Sequence, residues 1–86
     1  MTSYTIDVDG TQEEYKPANG KTFTLEELQA AIGGGYVEPI ALPFKRIMLV
    51  DEEGLLKNMQ ANMSATLLAH RPIVGKVLIC DRKMMK

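Results

Sequence analysis

Cysteine, histidine and tryptophan are nearly missing: the 86 residues hold one cysteine (Cys80), one histidine (His70) and no tryptophan. Each scarcity excludes something. A lone thiol forms no internal disulfide, so the fold must stand on packing alone. One His and one Cys, with no CxxC or HxxxH spacing, leave a single chain without the soft ligands of a zinc site. Three tyrosines and two phenylalanines are too few for the stacking platforms that hold single-stranded nucleic acid. No apolar run approaches the ~20 residues of a membrane-spanning helix. Met1-Thr2-Ser3-Tyr4 opens into strand-like sequence without the pattern of a secretory leader. Together with the unpaired thiol, this predicts a reducing cytoplasm and no membrane contact.

What is there suits one folded domain over 1–86, with 80–86 as a tail free to fray. The apolar fraction is 45% and the charged fraction 24%, the profile of a globular protein. Net charge is −1, so no global field draws nucleic acid. The halves differ in sign. Residues 1–40 carry seven acids against Lys16 and Lys21, a net of −5; residues 41–86 carry eight bases against four acids, a net of +4. Such asymmetry either marks a basic binding face or disappears when the halves fold together.

Residues 4–15 read as a β-hairpin. Tyr4, Ile6 and Val8 alternate with polar neighbours, and Asp9-Gly10 is a strong two-residue turn signal. That turn would pair Tyr4 with Tyr15 on the face of Ile6 and Val8. Residues 25–32 predict a helix, with Thr24 as N-cap, Glu27 completing a capping box, and Phe23 and Leu28 forming a hydrophobic staple. Leu25, Leu28 and Ile32 give its apolar stripe, and Gly33-Gly34-Gly35 stops it. Residues 36–42 predict a strand in which Pro39 demands an edge or a bulge. The apolar run 47–50 predicts a central strand covered on both faces. Residues 55–63 lack a clean period, and Ser64 to Ala69 suggests a short helix capped by Asn62 or Ser64. Residues 73–80 are the most strand-prone stretch, with Gly75 at a bulge or close approach. Met48, Met59 and Met63 read as core fillers, and Met84-Met85 as a frayed tail or a contact with a partner subunit. The predicted class is α+β: a small, mostly antiparallel sheet with one capped amphipathic helix and a second short helix.

No catalytic constellation emerges. His70 could serve as base to Cys80 or Ser64, but Cys80 ends an apolar strand, where thiols are usually buried and inert, and Ser64 with His70 matches no known spacing and has no orienting carboxylate. The three glycines follow a helix rather than precede one, the reverse of a phosphate loop. Neither metal nor cofactor is expected. The bases Lys45-Arg46, Lys57, His70-Arg71, Lys76 and Arg82-Lys83 flank the central strands. They either gather at one edge, where an anion would suit them, or remain scattered and solvated.

From Phe23-Thr24-Leu25-Glu26-Glu27-Leu28-Gln29 through Gly33-Gly34-Gly35-Tyr36-Val37-Glu38, Asp51-Glu52-Glu53-Gly54 and Asn62 to Pro72-Ile73-Val74-Gly75-Lys76-Val77-Leu78-Ile79, the chain resembles a family of small uncharacterised proteins. Phages, plasmids and other bacterial mobile elements carry that family. The likeness covers most of residues 20–80. It departs after Gly54, where family members often have a Gly-Leu-Pro turn and this chain reads Lys57-Asn58-Met59-Gln60-Ala61. The resemblance implies a mobile-element setting in a bacterial host cytoplasm and no known catalytic residue.

The functional expectation is a non-enzymatic binding protein that counters a bacterial defence system. It would either contact a host protein or sequester a nucleotide-like signal. For the nucleotide route, Arg46, Arg71 and Lys76 would hold phosphates and Tyr36 would stack on a base. The alternative is a structural or regulatory accessory of the element with weak nucleic-acid binding. Self-association into a homo-oligomer is also expected, from the small core, the edge strand and the methionine tail.

Overall fold

The computed structural model describes residues 3–85. Five strands form one sheet: β1 (Tyr4–Ile6), β2 (Gln12–Glu14), β3 (Val37–Leu42), β4 (Arg46–Asp51) and β5 (Val77–Asp81). Their order is β2-β1-β5-β4-β3, and every pairing is antiparallel. Helix α1 (Leu25–Ala31) covers one face and α2 (Met63–Ala69) the other. This is the predicted small α+β architecture. None of the described helices is long and apolar enough to cross a membrane.

The period of two in β4 and β5 divides the core. Ile6, Ile40, Met48, Val50, Val77 and Ile79 pack with Ala65 and Ile73 on the α2 face. Phe23, Leu28 and Ala31 pack with Leu49, Leu78 and Cys80 on the α1 face. The apolar run 47–50 is therefore continuous because both of its faces are covered, as expected of an interior strand.

The first hairpin departs from the expected register by one residue. Tyr4 pairs with Glu14, Thr5 with Glu13 and Ile6 with Gln12. Asp7 N–H donates to the Thr11 carbonyl (2.9 Å) and Gly10 N–H to the Asp7 carbonyl (2.9 Å), closing a three-residue loop with Gly10 at φ 90°. The reason is conformational. A two-residue type I′ turn would force Asp9 as well as Gly10 to positive φ, whereas this loop asks it of the glycine alone. A slip of one residue moves side chains to the opposite face. Tyr4 accordingly joins the α2-side core, while Tyr15 stacks on Phe23 on the α1 side (centroids 5.5 Å apart) and donates its hydroxyl to the Glu27 carbonyl at 2.6 Å.

α1 starts as predicted. Thr24 Oγ1 accepts from Glu27 N–H (3.1 Å) and Glu27 accepts from Thr24 N–H (2.7 Å). Glu27 also accepts from Ala18 N–H at 2.7 Å, and the Thr24 and Ala18 N–H bonds hold its carboxyl below the ordinary value. The helix ends in a Schellman motif: Gly34 N–H reaches the Gln29 carbonyl (2.7 Å) and Gly33 N–H the Ala30 carbonyl (3.2 Å). The inward face is Leu28, Ala31 and Ile32. Leu25 is not in it, being 61% exposed at the first turn, where it borders a shallow hollow beside Met85.

β5 starts at Val77, not at residue 73. Before it, Val74 only bridges Ala61, and Gly75 sits at φ 78° with Met59 Sδ 2.7 Å from where a β-carbon would be. The positive φ accounts for the glycine and takes the backbone out of strand geometry at that point. Asn62 ties the irregular segment down. It is fully buried, caps α2 by accepting from Ala65 N–H (3.1 Å), and donates Nδ2 to the carbonyls of Ile6 (3.0 Å) and Gly75 (2.9 Å). Of the expected methionine fillers, Met48 is fully buried, Met59 is half-buried and Met63 is 63% exposed on α2. Met84 and Met85 pack inward, partly buried. A 3-10 turn (Arg82–Met84) folds them against the Phe23 cluster, and Phe23 N–H donates to the Met84 carbonyl at 2.8 Å. Lys86 lies outside the described residues.

Candidate binding surface

The sheet's two ends differ. At the end where β3 turns into β4, the register puts Leu42 opposite Arg46 and Arg46 opposite Asp81. Arg46 lies on the α2 side, its guanidinium 5.9 Å from the Tyr4 ring centroid, in a cation–π contact. α2 is only two turns long and does not reach over this corner. Between it and the β3–β4 turn a cleft of about 330 Å³ remains, lined by Tyr4, Leu42, Arg46, Leu68, His70 and Ile79, with Pro43, Phe44 and Leu67 along its edge. Around it stand apolar side chains with little cover: Phe44 is 93% exposed, Leu67 73% and Leu68 43%.

The polar groups at this corner are mostly of one sign. Arg46 and His70 line the cleft, and no acid among the described residues does. On its other flank Phe44 borders a hollow formed with Lys45, Asp81, Arg82 and Lys83. Asp81 is buried, and among the described residues its Oδ2 has no hydrogen-bond partner. Most acids of residues 1–40 lie elsewhere, in the β1–β2 hairpin, α1 and β3; the exception is Glu14, directly opposite the cleft-lining Tyr4, which is paired with Lys16 at 3.6 Å. The charge asymmetry of the sequence therefore persists at this corner in three dimensions.

The four residues expected to form a nucleotide site do not converge. Arg46 is in the cleft. Arg71 sits beside Glu38, 4.0 Å away in an exposed pair worth little in water. Lys76 immediately precedes β5, opposite the Asp51 end of β4, so it stands about five residues from Arg46 along the strands, roughly 16 Å. Tyr36, exposed, precedes β3 at that same far end, where Glu52 N–H donates to its carbonyl. Glu38, Asp51, Glu52 and Glu53 share that end and offset the bases there. His70 and Cys80 do not meet either. His70 lines the α2-side cleft, whereas Cys80 is buried on the α1 side, its thiol pushed up to about 11 by burial and the Asp81 charge, against a smaller opposing effect of Arg46.

The far end is built for structure. Asp51 is buried, with Lys57 Nζ at 2.9 Å and Glu53 N–H at 2.8 Å. Burial alone would raise its carboxyl, but these partners outweigh burial and hold it below 3.8. Gly35 stands where a β-carbon would come within 2.7 Å of Lys57 Nζ, and Gly54 where one would come within 2.7 Å of Val74. Among the described residues no group of three or more His, Cys, Asp or Glu gathers as a metal site would require.

The sequence singled out Arg46 and named Lys45 and His70 among the flanking bases. It missed Phe44, Leu67 and Leu68. The signal for Phe44 was present: Pro43-Phe44-Lys45 reads as a short turn, yet it has no glycine or asparagine. Comparison with known families decides the relationship. A family described as a domain of unknown function, DUF3846, matches residues 1–84. The chain belongs to this family. No curated protein and no solved structure matches. Within this DUF3846 chain, Asn62, Gly54 and Glu38 carry structural contacts: a buried cap, a packed turn and a surface ion pair.

Proposed function

We propose that the protein is a non-enzymatic binding module that contacts a protein partner through the basic, apolar corner formed by the β3–β4 turn, α2 and the C-terminal end of β5. The observation that carries this reading is the grouping of Phe44, Leu67 and Leu68, all solvent-facing, around a cleft whose charged lining is basic. Exposed aromatic and aliphatic side chains flanked by arginine are the composition of interface anchors. The resemblance noted in the sequence suggests the setting, a mobile element in a bacterial cytoplasm, and in that setting the partner we propose is a host defence protein.

Sequestration of a nucleotide-like signal is the second reading. The cleft's size, near the lower bound of ligand pockets, favours it, and the dispersal of Arg46, Arg71, Lys76 and Tyr36 counts against it. An accessory role with weak nucleic-acid binding has only the basic residues in its favour. Self-association rests on the small core and the short open edge of β2. Met84 and Met85 pack inward, and Pro39 turns its donor-less nitrogen to the open edge of β3, which blunts edge pairing.

The test compares the wild-type chain with Leu67→Asp in cross-linked bacterial cytoplasm, beside calorimetric titration with cyclic and ADP-ribose-type nucleotides and a DNA duplex. The reading predicts one host protein held in stoichiometric amount by wild type and released by Leu67→Asp, with no heat from nucleotides or duplex. Submicromolar binding of a nucleotide with no protein retained would overturn it.

A further inference from the structure

The β3–β4 turn is unusual in a way its exposure does not explain. Phe44 has φ 63° and Lys45 φ 59°, two consecutive non-glycine residues in the left-handed region. Arg46 N–H approaches the Pro43 carbonyl at 3.4 Å, so Pro43 to Arg46 forms a tight turn with both central residues at positive φ. The register pairs Leu42 with Arg46, so 43–45 is a three-residue loop, and two of its residues take the positive φ that Asn and Gly tolerate best because a β-carbon is disfavoured there. The other two non-glycine residues at positive φ have local reasons: Asn58 is a tolerant residue type, and His70 closes α2 at its C-cap. Phe44 has none inside the molecule, being 93% exposed and outside both core clusters.

A bulky side chain held in a strained conformation, without burial to compensate, points outward for its explanation. The surroundings indicate the chemistry. Lys45, Arg46, His70, Arg82 and Lys83 flank Phe44 against the single buried acid Asp81, and the adjoining cleft of about 330 Å³ is concave and apolar. A concave slot suits one or two inserted side chains better than the flat surface of a bilayer does. A single exposed aromatic offers nucleic acid no stacking series. A second copy of the chain would bring two like-charged rims together.

We infer that Phe44 and Lys45 form a preset recognition tip, and that its occupant is an acidic segment of a partner protein. Such a segment would place a bulky apolar side chain in the cleft and its carboxylates over the basic rim. The inference rests on the protein-contact reading above and adds the partner's chemistry and the anchoring turn. The tip gains no stability from Phe44. It holds the aromatic ring in its bound position beforehand, so that little ordering remains to be done on binding.

The test is a double substitution, Phe44→Asn with Lys45→Gly, which puts residues tolerant of positive φ at both positions. Relief of the strain should raise the melting temperature by roughly 4–8 °C, the shift of a small stability gain in a domain of this size. In parallel, a random 12-residue peptide library is selected on the wild-type chain. The inference predicts enrichment of peptides with two or more Asp or Glu around Leu, Phe or Trp, and at least tenfold weaker binding of those peptides to the double variant. Enrichment of neutral or basic peptides, no enrichment, or equal binding by the variant would each overturn it, as would a melting temperature that falls. The two readings fail separately. A host protein released by Leu67→Asp but held undiminished by the double variant would refute the tip and leave the protein-contact reading standing.

Discussion

Asn62→Ala should cost this protein a large share of its stability, although Asn62 is neither apolar nor near the candidate surface. Its side chain makes three buried hydrogen bonds: a cap to Ala65 N–H at 3.1 Å and donations to the carbonyls of Ile6 (3.0 Å) and Gly75 (2.9 Å). Removing an N-cap costs ~1 kcal/mol. Each buried carbonyl left without a donor adds about 1–3 kcal/mol. The total is roughly 3–5 kcal/mol after allowing for some relaxation. A domain of this size has a total stability of about 4–13 kcal/mol, so the loss is about a quarter of it or more. Asn62→Asp separates the contributions. It keeps the oxygen that caps α2 but sets a carboxylate against two carbonyls, so at pH 7 it should be no more stable than the alanine variant. Urea unfolding followed by circular dichroism measures both, with linear extrapolation to water. A loss under about 1 kcal/mol for Asn62→Ala, or a wild-type midpoint for Asn62→Asp, would refute the reasoning.

Further predictions concern the far end of the sheet, the thiol and the core. Gly35→Ala should destabilise by about 1–3 kcal/mol, because its β-carbon would meet Lys57 Nζ at 2.7 Å and Asp51 Oδ2 at 2.9 Å with φ at 94°; a neutral effect in the same urea assay counts against the contact. Asp51 is depressed in the folded state, so its contribution is present above the ordinary carboxylate value and lost as pH falls through the folded one, below about pH 4. Lys57→Met should therefore move the midpoint of acid unfolding upward, and an unmoved midpoint would show that the pair does not set it. Cys80, buried with its thiol raised to about 11, should ignore a disulfide reagent at pH 8 until urea unfolds the chain; rapid labelling of the native protein would contradict the burial. Amides of 47–50 and 77–80 should exchange most slowly, since these strands lie between two covered faces. Sedimentation giving 9.5 kDa at high micromolar concentration would end the proposal of self-association.

Much of the fold was legible because local chemistry and tertiary structure agree. The capping box at Thr24 and Glu27, the glycine stop, the edge position of Pro39 and the two-faced run at 47–50 all form as the sequence indicates. The failures were decided by backbone conformation or by partners distant in sequence. Asp9-Gly10 was read as the whole turn, whereas Gly10 alone takes the positive φ and the register slips. Residues 73–76 have strand propensity, but Gly75 takes a positive φ and the strand starts only at Val77. Met84 and Met85 look like a tail until Phe23 is seen to hold them. The candidate surface was half legible. Arg46 stood out by charge, but Arg71, Lys76 and Tyr36 were grouped with it by residue type, and sheet register separates them. Phe44 was hidden because a turn was expected to be exposed, and only its backbone angle shows that the residue is ill-suited to its place.

The central claim is that binding occurs at the corner that carries Phe44, and amide chemical-shift mapping tests it most directly. The ¹⁵N-labelled chain is titrated with the tightest peptide from the library selection, at low and at high salt. The account predicts shifts concentrated at residues 42–46, 67–70 and 81–83, with affinity falling as salt rises, because carboxylates over a basic rim are screened. Shifts centred instead on Tyr36, Arg71 and Lys76, or affinity indifferent to salt, would contradict it.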